Sequence, residues 1–187
     1  MNPVVNHLGL LPRFRNLSRK ELDSLSECID LPKAYDADSV LCVQGSLGDK
    51  AFIVITGELV GMMKLPGGRE EEMGRYRPGD MVGEISLLER SPRTMTVRAS
   101  CTSDVLVIDK TRLDVLRERD EPGAYKLIYI ITQILCDRLR SNNLRARSRY
   151  FGEATISQVA PPETDIDPID TVKTALKNLK QLLLKNS

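Results

Sequence analysis

The 187-residue chain lacks several features that would mark its class at once. No apolar run approaches the roughly eighteen residues of a membrane span. The start "MNPVVNHLGLLPRFRN" has neither the lysine-rich head nor the small-residue cleavage site of a signal peptide. We therefore expect a cytoplasmic protein. The formal net charge is only +1, so charge alone indicates no nucleic-acid partner.

Cysteine and histidine are also scarce. Cys28, Cys42, Cys101 and Cys136 are widely separated, and His7 is the single histidine. These spacings fit neither a zinc site nor a disulfide framework, so we expect no metal and read the cysteines as small buried hydrophobes. A P-loop and a Ser/His/Asp set are missing as well, and we do not expect an enzyme.

What is present is the composition of an ordinary globular domain, with 41% apolar and 28% charged residues. The length allows one domain with a real core plus an appendage. "NLSRKELDSLSECI" has a capping box from Ser18 to Glu21 and an apolar face of Leu22, Leu25 and Ile29, which predicts a short amphipathic helix.

From about 34 to 109 the pattern changes to brief β-branched runs between glycine-rich turns. This pattern predicts eight or so short antiparallel strands in a sandwich or barrel. After Pro122, "AYKLIYIITQILCDRLRSNNLRAR" contains no proline or glycine and predicts a long helix. The apolar half of this helix covers more than one face. The apolar residues beyond those needed to pack on the strands predict a two-fold dimer with its seam at Ile130, Ile131 and Ile134. The alternative is a monomer in which the following segment folds back over the helix.

The last forty residues have a different pattern. Residues 148–168, which include "QVAPPETDIDP", are predicted to be an extended acidic linker. Residues 169–187 place apolar side chains at steps of three and four, which predicts an amphipathic helix. Such a stripe most often docks on its own domain or on its twin, and an effector protein is the alternative partner.

Three stretches together carry a family resemblance: "YDADSVLCVQGSLGDKAFIVITGEL", "YRPGDMVGEISLLERSPRTMTVRA" and the long helix. They resemble the cyclic nucleotide-binding domain that bacterial catabolite activators, kinase regulatory subunits and cyclic-nucleotide-gated channels share. The resemblance covers residues 8–147. It implies a mainly β fold with flanking helices, an antiparallel β-roll (a jelly-roll-like double-stranded β-helix) followed by a long C-terminal helix.

The resemblance also implies a function, that of a cyclic nucleotide sensor which signals through its C-terminal helix to a protein partner. A bacterial regulator of this family continues with a winged helix-turn-helix of about 60 residues or more. Residues 150–187 are too few for it, so we expect no DNA-binding domain. The alternatives are a transcription regulator that lacks its DNA-binding domain and a structural domain with a pocket that binds nothing.

A cyclic nucleotide carries one negative charge and a free ribose hydroxyl, so its pocket needs a cation, an acceptor and backbone donors. Arg93 offers a planar fork to the phosphate, and Glu84 can accept from the 2'-hydroxyl. Gly83 permits close backbone approach, and the turn that begins at Ile85 and Ser86 presents amide donors. Thr94 follows the arginine, where the family usually has Ala, Ser or Thr. The competing interpretation is that Glu84 and Arg93 pair with each other in a degenerate pocket.

The base contacts follow from the resemblance to the catabolite activator. It places Arg138, Asn142 and Asn143 near the purine, with Arg138 and Asn142 one helical turn apart. An asparagine amide serves adenine or guanine equally. We favour cAMP because the terminal helix looks bacterial, and cGMP stays open. Arg138 could instead belong to a solvated basic helix end.

Overall fold

The computed structural model describes the backbone of residues 2–151 and the side chains of residues 2–145. Two short helices come first, α1 (Pro3–Leu10) and α2 (Arg19–Ser26). The strands follow, with one short helix among them: β1 (Ile29–Tyr35), β2 (Val40–Cys42), β3 (Lys50–Thr56), β4 (Leu59–Lys64), β5 (Glu70–Tyr76), β6 (Met81–Val82), α3 (Ile85–Leu88), β7 (Thr96–Ala99) and β8 (Ser103–Asp109). Two helices come next, α4 (Lys110–Glu118) and α5 (Pro122–Phe151).

The strands form two four-stranded antiparallel sheets, in the orders β1-β8-β3-β6 and β2-β7-β4-β5. Because side chains alternate along a strand, each sheet has one inward face. Phe52 and Val107 of the first sheet are buried in one cluster with Leu59 and Val97 of the second. This cluster is the core of the β-roll. The predicted β-roll with flanking helices and a long later helix is confirmed.

A second core lies where helices meet the first sheet. Leu8 of α1 and Leu25 of α2 are buried in one cluster with Leu106 of β8 and Ile131 of α5. Ile130, Ile131 and Ile134 are all buried within the single chain. The prediction that these three isoleucines form a dimer seam is therefore wrong. Helix α1, which the sequence analysis did not predict, belongs to the cluster that buries them.

Two elements differ from the sequence prediction near the first helix. Helix α2 has the predicted capping box but ends at Ser26, and Ile29 begins β1. Strand β1 was missed because Pro32 interrupts its pattern, and it lies at the edge of its sheet, where proline is tolerated. Helix α4 was also missed, although the Asp109 side chain caps it by accepting from the Arg112 amide.

The cysteines only partly match the prediction. All four are free; Cys28 is buried, and burial raises the pKa of its thiol to about 12. Cys42 is half-buried, whereas Cys101 and Cys136 are exposed. The prediction of four buried cysteines is wrong for these two, since Cys101 lies in the turn between β7 and β8 and Cys136 lies on an outer face of α5.

Helix α5 runs to Phe151, so residues 148–151 are helical and the predicted linker cannot begin at 148. No proline or glycine interrupts the sequence between Gly123 and Gly152, which explains the extension. The rest of the predicted linker and the helix predicted at 169–187 lie outside the described residues. The chain divides into two units between Arg138 and Leu139, within α5. No helix in residues 2–151 has both the length and the apolar character that a membrane crossing needs.

Gly123 lies where α5 crosses α2. A Cβ atom there would come within 2.5 Å of the Glu21 carbonyl oxygen and 2.9 Å of the Leu25 nitrogen. Both atoms belong to the backbone and cannot move aside easily. The Gly123 amide also donates to Ser24 Oγ at 3.1 Å, which fixes the crossing.

We expect Gly123→Ala to lower the free energy of unfolding by about 1–3 kcal/mol, because the methyl group overpacks this crossing. Gly9→Ala is the matched control, since Gly9 is also helical and has nothing within 4 Å of its would-be Cβ. It should raise stability by up to about 1 kcal/mol through helix propensity. Urea unfolding of both variants measures the difference in their free energies of unfolding. Equal stabilities would contradict the close contact between Gly123 and α2.

Candidate functional site

The site is built on the turn that follows strand β6. Gly83 adopts a positive φ of 82°, and Glu84 then leads into the four-residue helix α3. The amide of Ser86 donates to the Gly83 carbonyl at 3.2 Å, and the amide of Leu87 donates to the Glu84 carbonyl at 3.1 Å. The helical turn predicted from "GEISLL" is therefore present.

Arg93 is buried, with 8% of its surface exposed. Its Nη2 donates to the Lys50 carbonyl at 2.6 Å, and its Nη1 donates to Ser86 Oγ at 3.0 Å and to the Gly83 carbonyl at 3.4 Å. The arginine backbone is fixed as well, since its amide donates to the Ser46 carbonyl at 2.8 Å. All of these acceptors are neutral.

Within residues 2–145, no carboxylate lies at ion-pair distance from Arg93. Neutral acceptors orient a guanidinium but leave its charge uncompensated, and a buried charge favours an opposite charge nearby. The geometry therefore suits an anion.

Two glycines allow this burial. A Cβ at Gly48 would lie 2.5 Å from Arg93 Cζ and 2.6 Å from Ser86 Oγ. A Cβ at Gly83 would lie 2.5 Å from Arg93 Nη1 and 3.0 Å from the Lys50 carbonyl oxygen. The sequence analysis explained Gly83 by the approach of a ligand, whereas the structure shows that the guanidinium itself needs the space.

Glu84 is 2% exposed and does not pair with Arg93. Its Oε1 accepts from Nη1 of Arg138 on α5. Its Oε2 is buried and has no hydrogen-bond partner among the described residues. A buried carboxylate oxygen without a donor is costly, so this atom is free to accept from a ligand hydroxyl.

Arg138 joins α5 to the β-roll through three contacts. Besides Glu84, its guanidinium donates to the Met81 carbonyl oxygen, and its Cζ lies 5.3 Å from the centre of the Tyr76 ring. Cation–π contacts occur at this distance. The pKa of the Tyr76 phenol is raised, mainly by burial, while the charge of Arg138 opposes the shift. Arg138 is therefore a specific partner of the site.

Comparison with known proteins agrees with this geometry. Residues 32–120, just under half of the chain, match the sequence model of the family described as "Cyclic nucleotide-binding domain". The chain contains a cyclic nucleotide-binding domain. The match includes the turn with Gly83 and Glu84, and it includes Arg93.

The relatives of this cyclic nucleotide-binding domain are diverse. The CRP-like cAMP-activated global transcriptional regulator of Mycobacterium tuberculosis is 29% identical over 145 residues, which are 76% of this chain and 60% of that protein. Patatin-like phospholipase domain-containing protein 6 of Homo sapiens is 28% identical over 107 residues, 57% of this chain but only 8% of that protein. The chain thus spans less than a tenth of the phospholipase relative.

A solved cyclic nucleotide-binding domain from Methylobacillus flagellatus KT has the same fold. Its TM-score is 0.69 at 22% identity, and the match covers 81% of this chain and 85% of that one. At this identity the likeness concerns the fold alone.

The structure brings together five of the residues predicted from sequence: Gly83, Glu84, Ser86, Arg93 and Arg138. The other four are placed separately. Ile85 is half-buried in α3, and Thr94 is exposed beside Arg93. Asn142 and Asn143 are exposed on α5, beyond Leu139, and their role at the base stays a prediction.

The sequence analysis missed four further residues that form the site in this cyclic nucleotide-binding domain: Gly48, Lys50, Tyr76 and Met81. Lys50 and Met81 act through backbone carbonyls, so no side-chain pattern could have revealed them. Gly48 stood in the glycine-rich "GSLGD", where a close approach of another chain segment was a possible reading. Within the part of the chain whose side chains are described, no group of acidic, cysteine and histidine residues could hold a metal.

Proposed function

We propose that the chain binds a cyclic nucleotide, with cAMP preferred to cGMP, and signals ligand occupancy through α5. One observation carries the proposal: a buried arginine with only neutral acceptors donates to the same turn that holds a buried glutamate with an unpartnered oxygen. A cyclic nucleotide presents an anion and a hydroxyl together, which matches this pair.

The phosphate would bind at Arg93. Its guanidinium is already oriented by the Lys50 carbonyl and Ser86 Oγ, so little side-chain entropy remains to be lost on binding. The ribose 2'-hydroxyl would donate to Glu84 Oε2. Discrimination against ligands without this hydroxyl follows, because they leave a buried carboxylate oxygen without a donor.

The choice of cAMP rests on a relative and on residue type. The mycobacterial relative is described as cAMP-activated, and it matches 76% of this chain. Thr94 is a residue type that accommodates either base, and Asn142 and Asn143 would contact the purine from α5.

The signal would pass through Arg138. This residue bonds to the same carboxylate that would bind the ribose, so a ligand at Glu84 changes the contact that links α5 to the roll. A ligand shifts a conformational equilibrium only through contacts that differ between the two states. The bond between Glu84 and Arg138 makes the glutamate part of the proposed switch as well as part of the pocket.

We also propose that α5 mediates a homodimer, although through another face than the buried isoleucines. Thr132 and Leu139 are exposed and Ile128 and Leu135 are half-buried on α5. With Asn142 they are spaced by four, three, four and three residues, which is the repeat of a two-stranded coiled coil. A second copy presents the same stripe, so the surface is self-complementary. The signal would reach an effector protein through this dimer.

The first test is a calorimetric titration with cAMP and with cGMP. Arg93→Ala should weaken binding by about 2–3 kcal/mol, because the phosphate loses a charge-assisted partner. Arg93→Lys should recover only part, since the planar fork is lost. Arg90→Ala, an exposed arginine of the same loop, is the control and should bind as the wild type does. Equal affinity of all four proteins would rule out the site.

The switch predicts a change in hydrogen exchange. In the ligand-free protein, Arg138→Gln should increase amide exchange over residues 124–138, and saturating cAMP should then change this segment little. Asn142→Ala should weaken binding modestly and reduce the ligand-dependent change. Arg13→Gln is the matched control, because Arg13 pairs with Asp137 at 3.2 Å without touching Glu84. Tight binding with unchanged protection in the wild type would refute the switch.

The dimer predicts a mass near twice 20.9 kDa by light scattering. Leu139→Lys should give monomers, because a charge in a coiled-coil seam is buried without a partner. Val115→Lys, on the exposed surface of α4, should leave the dimer intact. A wild-type protein that stays monomeric at high micromolar concentration would exclude the seam.

A further inference from the structure

A second buried cation, Lys110, bonds to residues that are sequence neighbours of the Arg93 acceptors. Lys110 is the first residue of α4, and its side chain is 9% exposed. Its ammonium donates to the Leu87 carbonyl at 3.2 Å and pairs with Asp114 at 2.9 Å. Its backbone amide donates to the Asp49 carbonyl at 2.8 Å. Lysine is rarely buried to this degree without a specific role.

The partners of Lys110 adjoin those of Arg93. The Arg93 side chain donates to the Lys50 carbonyl, and the backbone amide of Lys110 donates to the carbonyl of the preceding residue, Asp49. Arg93 donates to Ser86 Oγ, and Lys110 donates to the carbonyl of the following residue, Leu87. Both segments that orient the guanidinium therefore contact residue 110, the first through its backbone amide and the second through the lysine ammonium.

We propose that Lys110 is a positioning residue for anion binding, whose ammonium fixes the end of α3, and with it Ser86, relative to Arg93. The inference rests on the proposed function only for the identity of the anion. Lys110 touches no ligand in this scheme. Its effect reaches the ligand through Ser86, which precedes Leu87 and accepts from Arg93 Nη1.

The chemistry of the contact suits a cation. Leu87 is the third of the four residues of α3, so its carbonyl belongs to the group that an α-helix leaves without internal partners. A positive charge at this end is favourable, and a neutral side chain of the same length could not supply it. Asp114 keeps the ammonium in place and is itself held by Arg117 at 3.1 Å. If the lysine were lost, Asp114 would keep its ion pair with Arg117, whereas the Leu87 carbonyl would lose the ammonium that donates to it.

The test compares Lys110→Met with the wild type. Methionine keeps most of the apolar stem but lacks the ammonium. We expect cAMP affinity to fall about tenfold, the factor that corresponds to one lost charge-assisted hydrogen bond. Lys110→Arg should restore most of the affinity, because it can reach the same carbonyl and carboxylate. Arg112→Met is the matched control, since it removes an exposed ion pair between the same helix and Asp30. It should leave cAMP affinity unchanged.

A second readout needs no nucleotide. In the ligand-free protein, the Nε–H signal of Arg93 in a nitrogen-15 spectrum should broaden or exchange faster in Lys110→Met, and it should recover in Lys110→Arg. A lysine that only stabilises the fold would lower the melting temperature and leave this signal unchanged well below melting. If Lys110→Met does not fold, Asp114→Asn loosens the ammonium and should shift the signal in the same direction.

The outcomes separate the two proposals. If the wild type binds neither cAMP nor cGMP but the Arg93 signal responds to Lys110→Met, the proposed function fails and the positioning role stands. If the wild type binds cAMP and both the affinity and the Arg93 signal are the same in Lys110→Met, the positioning role is overturned. Equal losses in Lys110→Met and Arg112→Met would overturn it as well, because the effect would then belong to α4 as a whole.

Discussion

The buried guanidinium of Arg93 is the constraint on which the site depends. Burying a charge is costly unless its polar atoms are hydrogen-bonded, and here backbone carbonyls and a serine hydroxyl accept from both Nη atoms without neutralising the charge. Gly48 and Gly83 are needed because any side chain there would displace the guanidinium. The loop before β3, the turn after β6 and the loop before β7 must therefore meet at one point, and the β-roll is the scaffold that brings them together.

Helix α5 serves the core and the site at once. Its buried face, with Leu127 and Ile131, belongs to the same cluster as α1 and α2, while Arg138 reaches Glu84. The helix position is thus set by apolar packing and, nearer the site, by polar contacts that include those of Arg138 to Glu84 and Met81. A contact of this kind is easier to exchange than a packed core, since hydrogen bonds and ion pairs can be replaced by those of a ligand whereas close packing cannot.

The sequence predicted the parts of the site that are close together in the chain. Gly83, Glu84, Ser86 and Arg93 fall within eleven positions, so their register alone brought them into one pocket. Arg138 was predicted near the base, but its bond to Glu84 was not, because that bond depends on how α5 packs across α2. Helix α1 was missed because it lacks the capping box that marks α2, a helix of the same length. Without α1 the isoleucines of α5 looked unpartnered.

The pairing of β1 with β8 limits the rate at which the domain can fold. Ile29 pairs with Ile108, and β8 is also the strand that joins β1 to β3. The first sheet therefore cannot close until a segment far along the chain has arrived, and such non-local pairing makes folding slow. During synthesis, β3 and β4 cannot pair with β8 and β7 until those strands have left the ribosome, and their unpaired edges are open to aggregation in that interval.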